Sequence, residues 1–285
     1  MEILVLISHF FHVRRRGGQV LIIPDDMGLA HAVRGAPGGA PVVLLHDAGL
    51  AASAWARVAG ALDARARIVL PDLRGHGASP DSHDDHSMRD VVEDVVKLLR
   101  SLNIRDALLV GEGIGGMIAQ AVAAEAPATT RALVLIGTAP KIGTEDRWLR
   151  RADDLAALDA EARAEAILSR ATIAPPAPEI RALAAAVPGE TMRRICVAVA
   201  HTDLRASTDT LRLPVLGLVG REDRVTPPDL MREMIEGIPG ADLVLLPRCG
   251  HLASLDAPEA VASAINGFMA RTGHLLAPIG NGSDA

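Results

Sequence analysis

The sequence predicts an α/β protein: a mostly parallel sheet covered by helices on both faces, with a helical cap inserted late in the chain. Three observations carry that prediction. Short apolar runs alternate with helical stripes from Val42 onward, the rhythm of strand–helix–strand units. The runs are continuously apolar rather than alternating, as strands buried on both faces must be. The rhythm then breaks after Ala139, where a stretch rich in Ala, Arg and Glu reaches about Thr202 without a strand-like run.

Composition narrows the function classes. The chain has 285 residues, 49% hydrophobic and 22% charged, a globular balance with length enough for a large core. Its 29 Lys and Arg against 35 Asp and Glu give a net charge of −6. Without a basic block, such a chain does not suit nucleic acid. Two cysteines, Cys196 and Cys249, are too few for a disulfide framework and fit a reducing cytoplasm. Aromatic residues are only 2% and Tyr is absent, so aliphatic side chains must fill the core.

The elements follow in order. In residues 1–18 the apolar stretch Ile3–Ile7 precedes Arg14–Arg16, the reverse of a secretory signal, and it is far too short to span a bilayer. This segment reads as an extension without a packing partner, hence disordered, as does the tail 274–285. Val20–Ile23 and Leu29–Arg34 read as a hairpin turning at Asp25–Gly28. Strand Val42–His46 leads to a helix over Ser53–Asp63, capped by Ser53. Strand Arg67–Leu70 ends at Pro71, and Ser87–Leu102 carries a helical stripe at Val91, Val95, Leu98 and Leu102. Strand Ala107–Val110, helix Ile114–Ala124 and strand Arg131–Ile136 complete the first half. Pro175, Pro176, Pro178 and Pro188 cut the cap into short helices. Strand Pro214–Val219, helix Pro227–Glu236, strand Ala241–Leu246 and helix Pro258–Arg271 restore the alternation. The core is therefore 19–139 with 206–273, and the cap is 140–205.

One turn stands out for chemistry. Leu108-Leu-Val-Gly-Glu-Gly113-Ile-Gly-Gly is strand, tight turn and helix, with the G-x-[residue]-x-G frame of a nucleophile elbow. The central residue is Gly113, which takes strained backbone angles at no steric cost. The elbow's shape can thus persist with no nucleophile. A dinucleotide-binding turn is the weaker reading, because it would follow the first strand. Asp223 follows one late strand and His251 follows the last, in the chain order elbow, acid, histidine. Taken singly, Asp223 is a helix cap and His251 a surface histidine; together, on these loops, they form a pair. Asp81-Ser-His-Asp-Asp-His86 contains metal-ligand residue types but reads as a polar loop, and no metal is assigned.

On these residues the chain resembles the α/β-hydrolase superfamily over about Val20–Thr272, and within it 3-oxoadipate enol-lactonase. The resemblance rests on Asp72-Leu-Arg-Gly-His-Gly-Ala-Ser79, Gly115-Gly-Met-Ile-Ala-Gln120, Thr138–Thr144 with Trp148, Thr202-Asp-Leu-Arg205 and Gly250-His-Leu252. It implies an α/β-hydrolase fold acting on a small, carboxylate-bearing lactone of aromatic catabolism with no cofactor; the cytoplasm and the expectation of no nucleic-acid or membrane partner follow from composition and the N-terminal segment instead. Nothing in it settles an oligomeric state. The family's nucleophile, a serine, belongs at Gly113. The resemblance also implies oxyanion donors at the backbone of Ile114 and Ala48, and substrate contacts from Trp148, Arg147 and Arg205, with Arg150 and Arg151 nearby. Asp47 and Glu112 place two carboxylates where an oxyanion would form, an expected opposition that burial would lessen. Ser79 is expected to shape its loop, and Cys249 not to act as a nucleophile.

Three functions remain open at this level. The first is a hydrolase of a small ester or lactone in which His251, held by Asp223, activates water in place of the missing serine. Glu112 as the base is a weaker variant. The second is a lyase or isomerase using the His–Asp pair alone. The third is a non-catalytic ligand-binding protein.

Overall fold

The computed structural model describes residues 11–16, 19–24, 28–82 and 84–275. Nine strands among them form one sheet: β1 (Phe11–Arg16), β2 (Gln19–Pro24), β3 (His31–Gly35), β4 (Ala40–Leu45), β5 (Ala66–Pro71), β6 (Ala107–Glu112), β7 (Thr130–Ile136), β8 (Val215–Gly220) and β9 (Asp242–Leu246). Their order is β1-β2-β3-β5-β4-β6-β7-β8-β9. From β5 to β9 all pairings are parallel, and the three pairings that join β1, β2, β3 and β5 are antiparallel.

The chain runs from β4 outward to β5, then returns past β4 to β6. The sheet order thus reverses at the β4/β6 pair, and loops leaving these two carboxyl ends open a crevice between them. The sequence prepares the crevice. Strands β6 and β8 are buried at every position, so they can lie only in the middle of a covered sheet. One apolar cluster lies on each side, with Leu45, Leu109 and Met117 in the first and Leu44, Leu108 and Phe268 in the second. The core is aliphatic, as the shortage of aromatic residues requires.

Several expectations shift. Residues 11–16, expected within a disordered extension, form strand β1, paired with β2; residues 1–10 and the tail from 276 lie outside the described residues. The turn at 25–27 also lies outside them, although β2 and β3 pair antiparallel as the hairpin reading requires. Ser53 makes no capping bond: the chain enters through a 3-10 turn, Ala52–Trp55, before the helix Ala56–Ala61. Asp72 Oδ1, from the loop after β5, accepts the Ala52 N–H at 2.7 Å instead, so a long-range carboxylate does the work of a local cap. Ser87 does cap Met88–Ser101, in a reciprocal box with Asp90.

Between β7 and β8 lie the helices Glu145–Ala157, Ala160–Ala171, Pro178–Ala186, Gly189–Ala200 and the short Arg205–Thr208. Asp81 binds Thr191 and Arg194, and Asp85 pairs with Arg193. The acidic loop that carries metal-ligand residue types is thus tied to this helical segment; His83 lies outside the described residues. No described helix is long and apolar enough to cross a membrane.

Candidate active site

The turn after β6 is the pivot. Gly113 sits at φ +56°, ψ −118°, a conformation that strains any residue with a side chain. Its N–H donates to Ile136 O at 2.9 Å, and Thr138 Oγ1 donates to Gly113 O at 2.7 Å. Gly115 presses on the β4 backbone, where a Cβ would overlap the carbonyl of Leu45. Close approach at Gly115 and the positive φ of Gly113 together aim the first N–H groups of helix Ile114–Glu125 into the crevice.

Asp223 and His251 meet there. Asp223 follows β8 and is fully buried. Its Oδ1 accepts the N–H groups of Val225 and Thr226, both at 2.8 Å, and its Oδ2 accepts from His251 Nδ1 at 3.0 Å. The loop before His251 is held in turn: Glu222 accepts the Cys249 N–H, and Asp256 the Gly250 N–H. The pair read from the sequence is therefore formed, with Asp223 orienting the imidazole.

The third member is Asp47, on the loop after β4. Its Oδ2 accepts from His251 Nε2 at 3.2 Å and its Oδ1 accepts the Ile114 N–H at 2.8 Å. The Ala48 N–H also stabilises its charge. The two expected oxyanion donors thus converge, but on Asp47. Its carboxylate fills the space a side chain at Gly113 would need: a Cβ there would overlap Asp47 Oδ1 and Cγ. The sequence placed Asp47 at the site but as an opponent of negative charge; the structure shows it taking the donors for itself.

Electrostatics follow from this chain of three groups. Burial alone would depress His251, but hydrogen bonds and charge from Asp223 and Asp47 push it up to about 10. Burial opposes the charge on Asp47 too, yet its bonds to His251, Ile114 and Ala48 hold it below the usual carboxylate range. The resting site is an imidazolium between two carboxylates.

Two histidines missed as site residues fix the loop that carries Asp47. His46 Nδ1 donates to Asp47 O at 2.8 Å and Nε2 accepts the Leu73 N–H at 2.9 Å. His76 Nδ1 donates to Arg74 O at 2.9 Å and Nε2 accepts the Gly49 N–H at 3.1 Å. Each must accept at Nε2, so each is neutral, and burial drives both down to about 4. Their signal in the sequence was position, each in a loop directly after a strand. Ser79 shapes the neighbouring loop as expected, donating to Asp72 O and accepting the Ala30 N–H.

Glu112 does not reach the cavity. It accepts from Ser254 N at 2.8 Å and Ser254 Oγ at 2.5 Å, and burial pushes it up to about 7. It anchors the loop that carries His251, so the variant with Glu112 as base is set aside. Burial likewise pushes Cys196 and Cys249 up to about 12, so neither is a ready thiolate.

A cavity of about 50 Å³ opens onto the triad, lined by Asp47, Gly113, Ile114, Trp148, Arg151 and His251 among others. Trp148 donates from Nε1 to Ile142 O. A second cavity of about 60 Å³ shares Trp148 and Arg151 and adds Arg147. Of the expected substrate contacts, Trp148 faces the triad and Arg147 stands one cavity away. Arg205 is not among the lining residues: it pairs with Asp203 on the surface, in a fork two residues apart in sequence. Arg151, lower in the sequence reading, is the arginine at the site.

Comparison with known proteins agrees with this architecture. Residues 42–264 match the model of the Alpha/beta hydrolase family. The chain is 30% identical over 253 residues to a 2-hydroxymuconate semialdehyde hydrolase of Pseudomonas sp. strain CF600, covering 81% of this chain and 87% of that protein. It is 27% identical over 250 residues to 3-oxoadipate enol-lactonase 1 of Acinetobacter baylyi, covering 82% and 90%. Among solved structures, a hydrolase from Pseudomonas aeruginosa PA01 superimposes with a TM-score of 0.81 at 29% identity, covering 90% of this chain and 99% of that one.

Proposed function

This chain belongs to the alpha/beta hydrolase family, and we propose that it hydrolyses a small ester or lactone at the triad Asp47–His251–Asp223, with no serine on the elbow. One observation carries the reading: the Asp47 carboxylate occupies the place of the missing elbow side chain and touches both His251 Nε2 and the Ile114 N–H. The site therefore holds a carboxylate, rather than a gap, where the elbow side chain is missing. The small cavity suits a small substrate. Arg151 offers a guanidinium for a substrate carboxylate, and one relative is named as an enol-lactonase.

Proton inventory sharpens the role of His251. As an imidazolium it can protonate a departing alkoxide or enolate. It can take a proton from water only in a state where Asp47 has lost its charge. Water activation by His251 thus belongs to a later step of turnover, not to the resting site.

The test is hydrolysis of 3-oxoadipate enol-lactone and an activated aryl ester by the natural protein, Asp47→Asn and His251→Gln. Loss of hydrolysis in both variants is the expected result. Unchanged hydrolysis in Asp47→Asn removes the triad from the mechanism. Product formed without water uptake would instead indicate a lyase or isomerase.

A further inference from the structure

A cavity of about 530 Å³ opens at the edge of the sheet opposite the triad. It forms where four adjacent parallel strands begin, β5, β4, β6 and β7 in sheet order. Neighbouring strands lie about 4.8 Å apart, so these starts span about 14 Å. Arg65 and Arg67 flank Ala66, the first residue of β5; Arg105 and Asp106 precede β6; Arg131 is the second residue of β7. Helix Met88–Ser101 turns into β6 through Asn103, at φ +52°, and the Ile104 N–H returns to Leu99 O at 2.8 Å. That tight ending fixes Arg105 and Asp106 at the rim.

Positive charge gathers here. Asp63 holds Arg65 through bonds of 3.0 and 2.8 Å. Arg67 and Arg105 have no carboxylate partner among the described residues, and Arg131 reaches the Thr272 carbonyl at 3.3 Å. Asp106 is the one carboxylate among the described residues that line the cavity. The guanidinium groups of Arg67, Arg105 and Arg131 therefore repel one another unless an anion joins them. His274 is 3% exposed and lines the same cavity. Its Nε2 donates to Pro41 O at 3.0 Å, so the neutral ring keeps its lone pair on Nδ1, which has no partner. Burial and the charge of Arg131 hold the ring below the ordinary histidine range, so Nδ1 stays an acceptor. A buried acceptor left bare is costly, and a ligand hydroxyl would satisfy it.

We infer that this cavity binds a phosphate monoester of a polyhydroxylated carbon chain, its phosphate on Arg67, Arg105 and Arg131 and its hydroxyls on His274 Nδ1 and Asp106. The division of the lining groups selects that class. Guanidinium forks match phosphate oxygens in pairs. The Asp106 carboxylate and His274 Nδ1 carry lone pairs and no proton, so they repel phosphate oxygens and take hydroxyl protons. A bare phosphate would satisfy the first set alone, and a fatty anion would leave the second unpaired. Ile104, Pro41 and Leu275 add a short apolar wall against the carbon chain. The same chemistry occurs in a free sugar phosphate and in the ribose phosphate of a nucleotide.

This site goes beyond the ester reading and shares no residue with the triad, so each stands or falls alone. The test is isothermal titration of the natural protein with ribose 5-phosphate, AMP, ethyl phosphate and inorganic phosphate. Ribose 5-phosphate or AMP should bind at one site per chain, with ethyl and inorganic phosphate about 10-fold weaker or more. Tighter binding of ribose 5-phosphate assigns a free sugar phosphate, and tighter binding of AMP a nucleotide. Arg67→Gln and Arg105→Gln should each weaken binding by roughly 10–100-fold and leave hydrolysis of the activated aryl ester unchanged. Arg105 is exposed, so its replacement leaves the fold intact. Inorganic phosphate that binds as tightly as ribose 5-phosphate and AMP overturns the inference. Silence from every ligand, or affinity unchanged in both variants, overturns it as well.

Discussion

Asp47 and Gly113 share one volume. The carboxylate of the first, from the loop after β4, lies where a side chain on the second would have to go, and it makes the contacts to His251 and Ile114 that an elbow side chain would make. The group that fills this place comes from the facing loop of the crevice. Any change at one position must therefore be interpreted through the other.

The first prediction concerns that exchange. Gly113→Ser alone should not create a serine esterase, because the new side chain collides with Asp47 and strains a left-handed position. Its melting temperature should fall. Asp47→Ala combined with Gly113→Ser frees the volume and the donors, and should raise hydrolysis of an activated aryl ester on the order of 10²-fold above Gly113→Ser. An organophosphonate probe should label only the double variant.

The pH profile separates this triad from one with a neutral base. An enzyme that relies on neutral imidazole loses kcat/KM on the acid side, near the ordinary histidine pKa of about 6.5. The proposed triad works from the resting imidazolium, so kcat/KM should hold through that region and fall on the alkaline side as His251 loses its proton near 10. His251→Gln should lower turnover by about 10²–10⁴-fold. The stability that His251 adds by its raised pKa is fully present below its unfolded value of about 6.5 and is lost as pH rises through 10. The stability difference between the natural protein and His251→Gln, measured by urea melts, should shrink over that window.

His76 should govern the acid side of stability. Its folded pKa of about 4 lies below the unfolded value, so the unfolded chain binds more protons as pH falls. The natural protein should lose stability from about pH 6.5 toward 4, and His46 adds to the same slope. His76→Leu leaves the Gly49 N–H unpaired, at a cost of about 1–3 kcal/mol near neutral pH. That penalty should diminish on acidification, because the variant no longer has a buried imidazole to protonate.

Glu112 offers a contrast with Asp47. Its raised pKa means that folding favours the protonated form, so its contribution to stability declines as pH rises from 4.5 through about 7. Glu112→Gln keeps an acceptor for the Ser254 N–H and removes that dependence. It should retain most turnover, whereas Asp47→Asn should abolish it. Glu112→Ala should lower both stability and turnover by releasing the loop that carries His251, a loss the Gln variant does not share.

Much of this was legible in the chain. Continuous apolar runs such as Leu108–Val110 determined the buried parallel strands, and their spacing determined the order elbow, Asp223, His251. Strong periodicity also placed the helices Met88–Ser101 and Pro258–Arg271 within a residue of their ends. These are local properties, since backbone pairing and helical faces repeat over a few residues. The family resemblance implies Arg205 as a substrate contact, yet the nearby Asp203 carboxylate holds it on the surface. Arg151, one helical turn beyond Trp148, reaches the cavity instead.

What the chain alone determined was the scaffold, the His–Asp pair and the absence of a nucleophile at Gly113. What only the tertiary structure decided was where that absence is filled. Asp47 and Gly113 stand far apart in sequence, and no periodicity links them; they meet because the sheet order reverses between β4 and β6. The direction of the Asp47 carboxylate, toward the hole donors rather than against them, follows from the volume left open by a glycine and from an imidazolium on its other side. Both are properties of neighbours in space, which a linear sequence does not record.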